Sequence, residues 1–204
     1  MTYLYLLAAI CGYLLGSVSI SILLSRLFLH DDVRGHGSGN AGATNVARVY
    51  GMKAGLITLG GDMLKTLLSA ILGLLLAGRT GLAIGCAGCL LGHCWPVFFQ
   101  FRGGKGVSVS TCIALLLDLR LFLILVAVFF LLFFLTRRVS VCSMAAAVAF
   151  PVVYWLLYPG FSVTFCLCLL IFVLVLFMHR ENFCRLLRGE EPKFQPKSNG
   201  SCNK

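Results

Sequence analysis

The chain has 204 residues, of which 59% are hydrophobic and 12% charged, with a mean hydropathy of +0.96 and a formal net charge of +10. A soluble domain carries about twice that charged fraction, so this composition excludes a soluble globular protein and points to an integral membrane protein. The basic excess is no sign of nucleic acid, because it falls in short connectors between apolar runs, as in a protein obeying the positive-inside bias.

Seven apolar runs follow one another, near residues 2–24, 55–77, 82–101, 107–118, 121–136, 139–157 and 161–178. Most approach the roughly 20 residues needed to cross a bilayer core as a helix. The first lacks a basic leader and a small-residue cleavage site, so it reads as a retained span rather than a signal peptide. "GRTG" at 78–81, "DLR" at 118–120, "RR" at 137–138 and "YPG" at 158–160 read as connectors.

The expected fold is therefore an all-α membrane protein of about seven transmembrane helices, one polytopic domain over residues 1–204. Residues 181–204 form a cytosolic tail whose end is expected to be disordered. With seven spans, Arg26, Arg34, Arg48, Lys53, Arg102, Lys105, Arg137, Arg138 and the basic tail share one side, against Arg79 and Arg120 on the other. Cytoplasmic loops carry the Lys/Arg excess. The N-terminus is thus expected outside and the C-terminus in the cytosol. Joining the fourth and fifth runs would move Arg137, Arg138 and the tail outside, which disfavours six spans.

Two glycine-rich segments fall on the cytosolic side. "GHGSGNAGATN" at 35–45 contains Gly37, Gly39 and Gly42 in a G-x-G-x-x-G pattern, but a nucleotide fold needs a preceding strand, and an apolar run precedes this one. What remains is bare backbone whose N–H groups can approach an anion. Ser38, Asn40, Thr44 and Asn45 add neutral hydrogen-bonding groups, and Arg48 adds a charged fork. In "RGGKG", Gly103, Gly104 and Gly106 surround Lys105 before the fourth run. Phe99 stands where a Walker A loop needs its first glycine. A lysine in a tight turn beside a helix N-terminus still makes an anion site. Two such segments in one compartment suggest two phosphate-bearing ligands, or one held twice.

Inside the runs, Asp62 and Lys65 lie at i and i+3. Charges at such depth face a site or pair with each other. Cys86, Cys89 and His93 share one helical face. With no fourth ligand evident, that spacing reads as helix packing, and no metal site is expected. Gly81, Gly85, Gly88 and Gly92 form a stripe that lets a neighbouring helix approach closely. The other cysteines mostly lie in apolar runs as small hydrophobes.

Taken in order, "GS" at 16–17, "GSGNAGATNVAR" at 37–48, "DMLK" at 62–65, "GHCWPVFFQFRGGKGV" at 92–107 and "HRENFCRLLRGEEP" at 179–192 resemble the bacterial acyl-phosphate-dependent glycerol-3-phosphate acyltransferases, the PlsY family. The resemblance implies a seven-span inner-membrane enzyme with its active site facing the cytosol. Such an enzyme moves a fatty acyl group from acyl phosphate to the 1-hydroxyl of glycerol 3-phosphate, giving lysophosphatidic acid and phosphate. The lipid bilayer and these two small molecules are its expected partners, without a cofactor or nucleic acid; the oligomeric state is left open, a monomer included. The chain departs from the family at Ser108 and Val109, where Ala-Thr is usual, and at Thr66, where glycine often follows the Asp-x-x-Lys element.

On this reading Arg48 and Lys105 hold phosphate, Ser38 and Asn40 bond near the reacting centre, and His179 and Asn182 complete the site from the last span. Gly37, Gly39, Gly42, Thr44, Asn45, Lys65, His93, Gly103, Gly104, Gly106 and Ser140 are expected to bind substrate. His93, His179 or a substrate phosphate oxygen is the candidate base. No relay supports a Ser38 acyl-enzyme. The competing class is a transporter of a phosphorylated metabolite, which shares glycine-broken helices and buried charge. Against it, the anion motifs sit on one side and no inverted repeat is apparent.

Overall fold

The computed structural model describes residues 2–28 and 30–195, and it is all-helical among them. The expected disorder at the end of the tail concerns residues outside this range. Four stretches are long and apolar enough to cross a membrane, namely Thr2–Phe28, Met52–Phe99, Leu119–Thr136 and Val139–Leu157. A fifth pairs Val163–Met178 with Arg180–Leu187 across a 54° bend. Many large apolar side chains face outward, among them Leu75, Phe134, Leu135 and Leu156. A lipid-facing surface has that character.

The first apolar run is two helices rather than one. α1 (Thr2–Gly16) and α2 (Ile20–Phe28) are separated at Ser17–Ser19. A break inside an apolar environment strands backbone carbonyls that must find donors. Lys65 supplies them, its Nζ donating to Gly16 O and Val18 O at 2.9 Å each. Its charge is matched by Asp62 Oδ1 at 3.0 Å, with both side chains almost fully buried. The i, i+3 pair read from the sequence is therefore a cap on a neighbouring broken helix.

A short helix, α3 (Ala43–Tyr50), precedes α4 (Met52–Cys94). α4 is two arms folded back at Ala77 and Gly78, whose φ of 63° and ψ of −152° leave the helical region. The turn is thus tighter than the connector expected at 78–81, and Gly81 already lies in the second arm. Gly73 and Gly81 bring the two backbones together, as do Gly85 and Ser69, and a side chain at any of these glycines would collide with the opposite arm. The same stripe serves α1. Gly88 and Gly92 meet the backbone at Ala9 and Tyr13, while Gly12 and Gly16 meet it at Gly85 and Cys89. The predicted close approach is a three-helix contact built on glycine.

The remaining helices are α5 (Val107–Leu117), α6 (Leu119–Thr136), α7 (Val139–Leu157), α8 (Val163–Met178) and α9 (Arg180–Leu187). Asp118 divides α5 from α6 and caps the latter, accepting from Arg120 N at 2.7 Å and Leu121 N at 3.2 Å. Ser162 caps α8 by accepting from Phe165 N at 3.1 Å. Leu90, Ile113, Leu121, Phe150 and Ile171 fill the core where α4 to α8 meet. At 11 residues, α5 rises only about 16 Å, roughly half a bilayer core.

Candidate active site

At one end of the bundle the glycine segments, α5, α7 and α9 enclose a cavity of ≈ 400 Å³. Its mouth is polar, lined by Ser38, Asn40, Gly42, Thr44, Asn45, Arg48, His93, Lys105, Ser140, His179 and Asn182. The fold gathers these eleven of the seventeen expected site residues from positions up to 144 apart in sequence.

 

The wall continues into a deeper apolar part lined by Val107, Ala114, Phe122, Leu125, Val126 and Phe129, and by Ala146, Ala147, Phe150, Ile171 and Val175. One end of the space suits an anion and the other suits a hydrocarbon chain.

The first glycine segment is held in shape by Asn45, which is 1% exposed. Its Oδ1 accepts from Ser38 N at 2.9 Å, and its Nδ2 donates to Val33 O, His36 O and Asn40 O at 3.0–3.2 Å. Asn45 thus organises the loop, and its hydrogen-bonding capacity is spent on backbone. Gly37 and Gly39 adopt positive φ there, which suits glycine. Arg34 ties this loop to the second one, pairing with Asp32 at 2.8 Å and donating to Phe99 O at 2.9 Å.

The second loop folds against the end of α4, with Gly103 N donating to Cys94 O and Gly104 N to His93 O. A side chain on Gly103 would strike His93 O, and one on Gly104 would strike the His93 imidazole. These glycines let the loop lie flat on His93 and turn Lys105 into the cavity. Lys105 Nζ donates to Asn182 Oδ1. Burial, with Arg185 nearby, pushes the Lys105 pKa down to about 8.

The opposite wall comes from α8, α9 and the segment after it. His179 Nδ1 lies 2.8 Å from Val175 O, and a carbonyl only accepts, so Nδ1 carries the proton and Nε2 keeps its lone pair. Glu191 is buried and accepts from Ser140 Oγ at 2.6 Å, Asn182 Nδ2 at 2.7 Å and Arg185 Nε at 2.9 Å. Burial acts to raise its pKa, but these donors outweigh it and hold the carboxyl below its ordinary value.

Several expected site residues stand back from the cavity wall. Gly37, Gly39, Gly103, Gly104 and Gly106 shape the loops, and Lys65 has its donors taken by Gly16, Val18 and Asp62. Lys65 was expected to bind substrate; the helix break at Ser17–Ser19 claims it instead. Conversely, Arg185, Glu191, Ser108 and Ser110 belong to the wall and were not singled out as site residues. The first two lie inside the "HRENFCRLLRGEEP" segment, where a charged pair six residues apart was the available signal.

The fold and cavity define a helical membrane protein whose cavity joins a polar, basic mouth to an apolar interior. Residues 6–189 match the sequence pattern of the glycerol-3-phosphate acyltransferase family. The chain is 41% identical over 193 residues to a glycerol-3-phosphate acyltransferase of Geobacillus kaustophilus, covering 95% of this chain and 96% of that one. It is 39% identical over 197 residues to the enzyme of the same name from Finegoldia magna, covering 95% and 98%. A crystal structure of PlsY, an integral membrane glycerol 3-phosphate acyltransferase, in its glycerol 3-phosphate form superposes with a TM-score of 0.87 at 32% identity, covering 94% of this chain and 96% of that one. Its lysophosphatidic acid form gives 0.83. The chain belongs to the glycerol-3-phosphate acyltransferase family.

Proposed function

We propose that this enzyme transfers a fatty acyl group from acyl phosphate to the 1-hydroxyl of glycerol 3-phosphate, releasing lysophosphatidic acid and inorganic phosphate. The observation that carries this reading is the single cavity joining a mouth with Arg48, Lys105 and Arg185 to an apolar part lined by residues such as Phe122 and Phe150. A phosphate-headed substrate satisfies the first part and an acyl chain the second.

The 1-hydroxyl oxygen attacks the acyl carbonyl, the bond from that carbon to the phosphate oxygen breaks, and phosphate leaves. The hydroxyl proton passes to His179 Nε2 or to a phosphate oxygen. Because phosphate is a good leaving group in a mixed anhydride, positioning and charge neutralisation supply most of what the protein must add. Arg48 and Lys105 hold phosphate, Ser38 and Asn40 bond near the reacting carbon, and Asn182 is held in place by Lys105 and Glu191. Asn45, Gly37 and Gly39 keep the first loop in its binding shape, and Gly103, Gly104 and Gly106 do so for the second.

The same reading has seven membrane passes, with the two arms of α4 crossing separately, and places this mouth in the cytosol of a bacterium at its inner membrane. Arg79 and Arg120 then lie on the outer side. The test is acyl transfer by purified protein, with acyl phosphate, acyl-CoA and acyl carrier protein offered separately. Lysophosphatidic acid should form from acyl phosphate without coenzyme A. Equal or better turnover with acyl-CoA refutes the donor assignment.

A further inference from the structure

Among the described residues, Ser110 Oγ is the one buried side-chain nitrogen or oxygen without a hydrogen-bond partner. Ser110 is 8% exposed and forms part of the cavity wall. Leaving a buried hydroxyl unpaired is costly, and native interiors seldom do so without a reason.

Its neighbours at the neck, between the charged mouth and the apolar interior, are already engaged. Ser108 Oγ donates to Asp62 Oδ2 at 2.7 Å and Thr111 Oγ1 to Val107 O at 2.8 Å. Ser140 Oγ donates to Glu191 at 2.6 Å and Ser143 Oγ to Val139 O at 2.9 Å. Ser110 alone keeps a donor in reserve.

Its position says for what. Val107, Ser110, Thr111 and Ala114 fall at i, i+3, i+4 and i+7 on α5 and all line the cavity. Ser110 stands about 4.5 Å along the helix axis beyond Val107, at the N-terminus that follows Lys105. A phosphate held by Lys105 and that helix end puts the adjoining acyl carbonyl roughly one such step deeper. A serine hydroxyl reaches the cavity from this face by rotation about Cα–Cβ between staggered positions.

We infer that Ser110 donates a hydrogen bond to the carbonyl oxygen of the acyl group, in the donor and as negative charge develops on that oxygen. This rests on the acyl-transfer reading above. Oxyanion donors are worth about a hundredfold or more in kcat when fully placed, and a single neutral donor about tenfold.

The experiment compares wild type, Ser110→Ala and Ser110→Thr in two measurements. The first is steady-state acyl transfer from palmitoyl phosphate to glycerol 3-phosphate. Ser110→Ala should lose at least about tenfold in kcat, with the KM for glycerol 3-phosphate within about twofold, and Ser110→Thr should recover most of the loss. The second is the infrared carbonyl band of a carbonyl-13C acyl phosphonate bound to each protein. That band should move to higher frequency in Ser110→Ala and return in Ser110→Thr. Wild-type kcat and an unmoved band in Ser110→Ala would overturn the inference and leave a hydroxyl that serves the helix alone, back-bonded to Gly106 O. A wild type that binds the phosphonate but transfers no acyl group would instead defeat the acyl-phosphate reading, while the band still decides the Ser110 contact.

Discussion

Lys105 donates to Asn182 across the cavity mouth, joining a glycine loop to α9 over 77 positions of sequence. The lysine is therefore anchored before substrate arrives, and its charge is aimed rather than free to sweep. A charge-assisted hydrogen bond contributes about 1.5–3 kcal/mol, so Lys105→Ala should lose at least about tenfold in kcat/KM while inserting and folding normally. Lys105→Arg should rescue only in part, because a planar fork does not reproduce a point charge in a tight turn. Near-normal kcat/KM for Lys105→Ala at normal expression would reduce the loop to a turn.

The same burial sets a pH limb. Lys105 is pushed down to about 8, so in the free enzyme its charge is present below that value and lost as pH rises through it. Since kcat/KM reports the ionisations of free enzyme, it should fall above about pH 8. Lys105→Arg, which stays charged, should show lower activity without that limb. An alkaline limb that persists unchanged in Lys105→Arg would assign it to another group.

Lys65 should behave as a structural residue. Lys65→Met would leave the Asp62 charge buried and the carbonyls of Gly16 and Val18 without their donor. Removing one partner of a buried pair costs about 3–5 kcal/mol. Thermal unfolding in detergent should show a large loss of stability, and any surviving enzyme should have an unaltered KM for glycerol 3-phosphate. A raised KM with normal stability would return Lys65 to the binding site.

That contrast marks what the sequence could show. Apolar runs, the glycine stripe and the spacing of Asp62 and Lys65 are local features, and each is legible because a helix turns 3.6 residues at a time. The break at Ser17–Ser19 is not legible in that way, because Lys65, far along the chain, is what makes it tolerable. The engagement of Glu191 with Ser140 and Asn182 likewise requires the segment after α9 to return to α7. Residues such as Ser38, Asn40 and Arg48 could be named from their chemistry. Whether a given group faces the cavity, as Arg185 does, or stands behind it, as Lys65 does, depends on tertiary packing.

Sidedness is checked by labelling in a cysteine-free background. Thr80→Cys, beside the turn between the arms of α4, should react with an impermeant thiol reagent added to intact cells. Lys193→Cys, on the segment following α9, should react only after lysis. The reverse pattern would invert the proposed orientation.

Ser108 offers the sharpest separation of stability from catalysis. The family's usual residue there is alanine, so Ser108→Ala should leave kcat/KM within about threefold, less than the roughly tenfold that one neutral donor to the reacting groups supplies. In this chain, however, the Ser108 hydroxyl donates to Asp62 Oδ2 at 2.7 Å, beneath the loop that carries Lys105. Asp62 is 2% exposed and keeps only Lys65 at 3.0 Å and His93 Nδ1 at 3.5 Å once that donor is gone. Hydrogen bonds to a charged group contribute about 1.5–3 kcal/mol, so the variant should unfold at a clearly lower temperature despite its near-normal turnover. Unchanged thermal stability would mean that Lys65 and His93 satisfy the carboxylate by themselves; a large loss of kcat at unchanged stability would mean that Ser108 touches the reacting groups.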